Sequence, residues 1–443
     1  MAAPTYPLRR SIKNNPGESH MSFRSFAAAA LLASVSPLPA FAQDLHPVED
    51  PRALVFDPAG LAAIDAAIET LSAEHARPGY AVIVTRGEDI AYVAEAGTAN
   101  FETGEAFTIT TPVRIASMSK PITAVAIMQL VEDGLVELEA PVSRYLPAFA
   151  DVEVAVSPMA GEDGQIATRA PDTEMTVEHL LTHTSGLGYI FEGETDLGQL
   201  YLNNSLYAGD GDLMARMDQL ASLPLYTDPG ERWIYSYSID VLGAIVQVAS
   251  GQPFEDYLEA EIFTPLGMES TGFFFEDVDF SEEDLAPLYV HDEAGNLVLY
   301  PEAFMPDWAS GGGGLVSTAA DYAQFAMMLA NGGTLGDVQI LAPETARLMM
   351  SPHTTPEQLG DDWGARLFAY AGDVVVPAAE GETPRGIPGD YSWGGMFDTD
   401  FFVSPATGVA VITTTQIQPG PNRPEPRTSA VIRPLAYQAM AFD

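Results

Sequence analysis

Residues 57–76, DPAGLAAIDAAIETLSAEHA, repeat their apolar positions at a helical period and predict a helix, closed by Arg77-Pro78-Gly79. Two strand-like runs follow at 80–85 and 89–95, separated by a turn around Gly87. A second helix is expected over 117–132, stopping at Gly134, with Pro121 in its first turn, where the missing N–H costs nothing. The stretch 152–174 is rich in proline, glycine and acid and reads as a surface loop. Short helices are expected at 175–182, 210–222, 239–250 and 254–263, and the four glycines 311–314 introduce another at 319–331. Strand-like runs return at 400–403 and 408–414, and 427–441 reads as a helix interrupted at Pro434. Strands near both ends with helices between predict an α+β fold whose sheet is drawn from both termini around a helical middle. The expected division is an α/β part at about 43–115 and 300–443 and a helical part at about 116–299.

The first 42 residues read differently. From Met21 the chain runs MSFRSFAAAALLASVSPLPAFAQD. Arg24, a short apolar stretch and Ala40-Phe41-Ala42 form the three parts of a cleavable export signal. Residues 1–20 precede any ordinary signal, so translation from Met21 and an extended signal are both open. Cleavage after Ala42 places the mature protein in the periplasm or outside the cell. No later apolar run reaches the roughly 18 residues that span a membrane, so no membrane anchor is expected.

Composition narrows the function. The 443 residues carry 19 basic and 62 acidic side chains, a net charge of −43, and no cysteine. That charge disfavours nucleic acid and anionic membranes as partners. The missing cysteines exclude disulfides, thiol nucleophiles, thiolate metal sites and a lipidated N-terminal cysteine. Only two lysines occur, Lys13 and Lys120. Removal of residues 1–42 takes away four basic groups and one acidic, leaving 15 basic and 61 acidic, a net of −46. It also leaves Lys120 as the single lysine.

Lys120 ends Ser117-Met118-Ser119-Lys120. Serine at i and lysine at i+3 lie on one face of a helix, one turn apart. A serine hydroxyl needs a base within hydrogen-bond reach, and a buried lysine amine can serve. The positive end of the helix disfavours a nearby ammonium and offers N–H groups to an oxyanion. The following face, Ile122, Val125, Ala126 and Leu130, is apolar, so the helix and its lysine are expected to be buried. Ser119 points to another face and is not the expected nucleophile.

Residues 112–149, PVRIASMSKPITAVAIMQLVEDGLVELEAPVSRYLPAF, resemble the nucleophile region of serine beta-lactamase-like hydrolases: class C beta-lactamases, D-alanyl-D-alanine peptidases and family VIII carboxylesterases. The resemblance continues, in order, through LLTHTSGL (180–187), PGERWIYSYSIDVLGAIV (229–246), GGGGLVSTAADYAQFAMML (311–329) and YSWGGMFDTDFFVSP (391–405). It implies the beta-lactamase/transpeptidase-like fold, an antiparallel sheet flanked by helices with an inserted helical region. It implies Ser117 as nucleophile, Lys120 as its partner base and Tyr235 as the residue exchanging a proton with the leaving group. The implied oxyanion hole is the backbone N–H of Ser117 and of Met396. Tyr237, Trp393, Gly394 and Gly395 are the implied substrate-binding positions. Neither a cofactor nor a metal is expected.

Two departures bear on substrate. The third motif begins with Trp393 where lactamases and peptidases usually carry lysine or histidine, and the second ends in Tyr237 where asparagine is common. Each puts an aromatic surface in place of a polar contact, and a lost charge-assisted hydrogen bond is worth roughly 1.5–3 kcal/mol. The acidity acts the same way, repelling anionic lactams and peptide carboxylates and leaving neutral esters unaffected. The pattern looks most like family VIII carboxylesterases, with a small-molecule ester as partner. A beta-lactamase or D-alanyl peptidase is the alternative, since Arg366 or Arg385 could supply a cation. A penicillin-binding protein acylated without turnover is the second. Loops 188–212 and 370–390 are expected to wall the pocket.

Other motifs are set aside. His179 and His183 stand at i and i+4, a spacing that could hold a metal, but no His-Glu-x-x-His is present and they are assigned structural roles. Glycines 311–314 lack the lysine of a phosphate loop and are expected to turn tightly beside the cleft. No Gly-x-Ser-x-Gly occurs, which argues against a nucleophile elbow.

Overall fold

A computed structural model describes residues 46–73, 77–191, 193–207, 211–300, 306–360, 363–380, 386–418 and 426–440. The export signal, the end of the first predicted helix and Arg385 lie outside these residues.

Seven antiparallel strands form the central sheet. Near the N-terminus come β1 (Tyr80–Arg86) and β2 (Asp89–Ala96), and near the C-terminus β3 (Arg366–Phe368), β4 (Asp373–Val375), β5 (Tyr391–Gly394), β6 (Asp400–Ser404) and β7 (Val409–Thr414). Their spatial order is β3-β4-β5-β6-β7-β1-β2, so the two ends of the chain meet where β1 pairs with β7. The expectation of one sheet drawn from both termini holds.

Both faces of the sheet are covered, so its central strands β6, β7 and β1 are buried on both faces rather than alternately. On β1, Tyr80, Val82 and Val84 face a helix α1 (Pro58–Ser72) and the C-terminal helix, through Leu61, Ile64, Ile68, Ile432 and Ala436. Ala81 and Ile83 of the same strand join the larger core on the opposite face. Alternate residues thus enter different cores, as the two-residue period of a strand requires. Burial of a full aliphatic side chain stabilises by about 1.5–3 kcal/mol, so each face anchors the sheet.

Three buried helices complete the larger core: α2 (Ser119–Glu132), α3 (Ser238–Ser250) and α4 (Ala319–Ala330). Four predictions need correction. The second helix begins at Ser119; Ser117 sits in a preceding 3-10 turn, Ala116–Met118. The 152–174 loop contains a small hairpin, Val154–Ala155 with Thr168–Arg169. The 254–263 helix changes character, with Phe254–Leu258 followed by a π turn at Glu259–Phe263. The last helix, α5 (Thr428–Ala439), runs on through Pro434. Proline inside a helix costs roughly 3 kcal/mol, and packing against α1 offsets it. The two helices approach so closely that a Cβ on Gly60 would meet the Ala439 Cα at 2.8 Å.

Candidate active site

Ser117 is the half-buried residue in a buried turn. Ala116, just before it, takes φ 46°, a left-handed conformation that is strained for alanine. The surroundings hold it there. The Ser119 hydroxyl donates to Ala116 O (2.7 Å) and accepts from Leu315 N (3.2 Å), and Tyr322 on α4 donates its hydroxyl to Met118 O (3.0 Å). Ser119 is fully buried and serves this turn, in keeping with the expectation that it is not the nucleophile.

Two groups converge on Ser117 Oγ. Tyr235 Oη donates to it at 2.7 Å and Lys120 Nζ at 3.2 Å. Lys120 is fully buried. Its ammonium also donates to Gly312 O at 2.5 Å and lies 4.6 Å from the centre of the Tyr235 ring. A serine hydroxyl held between these two groups can pass its proton to the amine in its free-base form or to the tyrosine as phenolate, the requirement for nucleophilic attack on an acyl carbon. The structure thus brings Ser117, Lys120 and Tyr235 together.

Strand β5 brings the third motif to the same place. Trp393 is half-buried, with its ring 5.8 Å from that of Tyr235 and 5.3 Å from that of Phe368. Beyond it the chain turns sharply through Gly395, whose N–H donates to Thr399 O at 2.8 Å. Only glycine fits there, because a Cβ would meet Thr399 Oγ1 at 2.2 Å and Ile115 O at 2.5 Å. Gly394 pairs with Asp400 across the sheet. Met396 packs in a small cluster with Ala116, Leu288, Phe397 and Tyr300, which sets its turn against the nucleophile turn. Asp398, in the same turn at φ 71°, accepts from Thr428 Oγ1 (2.6 Å) and forms a buried pair with Arg77.

Tyr237 is placed differently from expectation. It is fully buried, and its hydroxyl accepts from Leu206 N at 3.3 Å, so it stands behind the pocket wall rather than on its surface. Tyr189 and Tyr207 lie in front of it, their hydroxyls 2.6 Å apart. The predicted 188–212 wall thus supplies these two phenols. In the 370–390 stretch, β4 is the second strand of the sheet, between β3 and β5, and Trp363 and Phe368 pack around Trp233 and Trp393. Arg366 forms an ion pair with Asp373 and lies over the Trp363 ring, a committed cation rather than a free one.

Electrostatics follow from burial. His183 packs 4.8 Å from the Tyr235 ring and shares a hydrogen bond with Ser236 Oγ (3.1 Å). Desolvation, helped by the Lys120 charge, holds its imidazole well below the usual range, so it is neutral. His179 accepts from Thr176 N and closes the first turn of its helix. Both histidines are structural here, as expected. Burial raises the Tyr189 and Tyr207 phenols well above 10.

In the sequence Asp240 figures only in the resemblance, without a role, and the packing of Trp233, Trp363 and Phe368 around Trp393 was not foreseen. Asp240 is fully buried in the first turn of α3, and its Oδ1 accepts from Ser310 Oγ (2.6 Å) and Gly312 N (3.0 Å). A lone acid in the apolar run 239–246 was the available signal.

A Ser-x-x-Lys serine with a tyrosine on its hydroxyl, set beside a strand of an antiparallel sheet, defines the serine acyl hydrolases built on a penicillin-binding scaffold. The Beta-lactamase family model matches residues 64–433, and the chain belongs to that family. Esterase EstB of Burkholderia gladioli is 33% identical over 388 residues, covering 83% of this chain and 93% of that one. Monacolin J acid methylbutanoyltransferase of Aspergillus terreus is 27% identical over 339 residues, covering 70% of this chain and 78% of that one. Among solved structures, EstCE1, "a hydrolase with promiscuous acyltransferase activity", superposes with a TM-score of 0.69 at 24% identity, covering 87% of this chain and 99% of that one. This protein is thus a serine hydrolase with the beta-lactamase fold.

Proposed function

We propose that the protein is an exported carboxylesterase that cleaves short-chain esters of small molecules through an acyl-enzyme on Ser117. The observation that carries the reading is the convergence of Lys120 Nζ and Tyr235 Oη on Ser117 Oγ. Ser117 Oγ attacks the ester carbonyl as its proton passes to the Lys120–Tyr235 pair. The N–H groups of Ser117 and Met396 hold the oxyanion, Tyr235 returns the proton to the departing alcohol, and water releases the acid. Trp393, Gly394 and Gly395 form the substrate edge. Preference for an ester is supported by the aromatic side chain at 393 and by the resemblance to Esterase EstB.

The deciding assay compares kcat/KM for a short p-nitrophenyl ester, a cephalosporin and a D-Ala-D-Ala peptide. The ester is expected to win, and a larger value for either of the others reverses the assignment to a beta-lactamase or peptidase. An acyl adduct on Ser117 that persists without turnover would instead mark a penicillin-binding protein. Ser117→Ala and Lys120→Ala are expected to abolish ester turnover. For export, a mature N-terminus at Gln43 in the extracytoplasmic fraction is the expected result.

A further inference from the structure

The mechanism above uses Ser117, Lys120 and Tyr235 and leaves one buried charge beside them without a task. Asp240 lies in a helix that is otherwise apolar from Ile239 to Val246 apart from glycine, and it is fully excluded from solvent. Its Oδ1 takes two donors, both from the 310–314 loop: Ser310 Oγ at 2.6 Å and Gly312 N at 3.0 Å. Its Oδ2 has no hydrogen-bond donor among the described residues. A half-satisfied buried carboxylate is costly, and an apolar residue would pack there at less expense in free energy. Burial is the main influence on Asp240 and raises its pKa, while Ser310, Lys120 and Gly312 favour the ionised form.

The loop connects this carboxylate to the chemistry. The peptide that gives its N–H to Asp240 belongs to Gly312, and the carbonyl of that same residue receives Lys120 Nζ at 2.5 Å. Gly312 leaves no room for a side chain against the acid, because a Cβ on it would stand 2.4 Å from Asp240 Oδ2. The titratable groups facing Asp240 are Lys120 from α2 and the phenols of Tyr189 and Tyr207 from the wall. Burial keeps both phenols neutral. Lys120 is therefore the cation this carboxylate faces.

We infer that Asp240 is a positioning residue for Lys120. It holds the 310–314 loop so that the Gly312 carbonyl keeps Nζ on Ser117 Oγ, and its charge balances the ammonium. This rests on the Ser117 chemistry proposed above.

Asp240→Asn separates charge from shape, since the amide oxygen can accept both loop donors. Loss of a buried negative charge beside an ammonium favours release of its proton. Because the loop keeps its two hydrogen bonds, with p-nitrophenyl acetate between pH 5 and 10 the plateau kcat and KM are both expected to stay within threefold. The limb of the kcat–pH profile is expected to move to lower pH by half a unit or more. A folded Asp240→Asn enzyme whose limb stays in place overturns the inference. Should that variant fail to fold, Gly312→Ala reads the same contact from the loop: a loss of kcat of tenfold or more supports the inference, and a smaller loss overturns it. Ser117→Ala runs in parallel. If it retains turnover, the Ser117 reading has failed, whatever the Asp240 variant does.

Discussion

Tyr235 Oη donates to Ser117 Oγ at 2.7 Å, joining two residues 118 positions apart in the chain. The phenol ring is held independently of that bond. It lies against His183, Trp233 and Trp393, with centroids 4.8, 6.0 and 5.8 Å away. Tyr235→Phe should therefore keep the ring in place and remove only the proton carrier. General acid–base groups contribute typically about 10²–10⁴-fold. We expect kcat/KM for a p-nitrophenyl ester to fall by at least about a hundredfold, with the melting temperature close to that of the parent. A loss below tenfold would exclude Tyr235 from proton transfer.

Gly395 tests the turn that carries Met396. A methyl there would stand 2.2 Å from Thr399 Oγ1 and 2.5 Å from Ile115 O, so the turn must shift. Overpacking of this kind costs about 1–3 kcal/mol of stability. Displacing one oxyanion donor costs about 10²–10³ in kcat. Gly395→Ala should lose kcat far more than it raises KM. A variant with full kcat would show that Met396 N–H is not an oxyanion donor.

Trp393 bears on substrate choice. Its ring lies 5.8 Å from that of Tyr235, at the motif position where the resemblance implies a lysine or histidine in lactamases and peptidases. Arg366 is engaged by Asp373 and lies over the Trp363 ring, so it does not replace that cation. Trp393→Lys should raise cephalosporin kcat/KM relative to ester kcat/KM by about ten- to a hundredfold, the equivalent of one charge-assisted hydrogen bond. An unchanged ratio would assign the preference to other parts of the pocket.

These three residues were legible in the sequence for a physical reason. Ser117, Tyr235 and Trp393 belong to motifs in which residue type and spacing are tied to chemistry. The paired strands β1 and β2 were equally visible, because seven and eight residues suffice to show a run. Strands β3 and β4 have three residues each, too few to display a period, and were not foreseen. Tyr237 was misplaced because a motif position does not reveal depth: Tyr189 and Tyr207, 48 and 30 residues upstream, cover it. The same holds for Asp240, whose meaning depends on a loop some 70 residues away. Pro434 signalled a break that the tight α1–α5 contact overrides.

Asp321 gives a pH dependence that does not involve the catalytic groups. It lies in the first turn of α4, and its Oδ2 accepts from Ser270 N (2.8 Å) and Thr271 Oγ1 (2.9 Å). Burial, opposed by these hydrogen bonds and reinforced by Asp279, raises its pKa to about 7. An unfolded aspartate titrates near 3.9. Between about pH 4 and 7 the folded protein therefore holds a proton that the unfolded chain has released. The proton-linked stability is fully present below about pH 4 and is lost as pH rises through about 7, by a few kcal/mol. The strongly acidic chain also loses stability as pH rises through general repulsion, so the wild-type slope alone cannot identify Asp321. Asp321→Asn isolates it. Asparagine keeps an acceptor for Ser270 and Thr271 but does not titrate. Urea unfolding at pH 4.5, 5.5, 6.5 and 7.5 should show the variant gaining on the parent at each step. A constant difference across the four values would mean that Asp321 is ionised throughout and that its two donors outweigh burial.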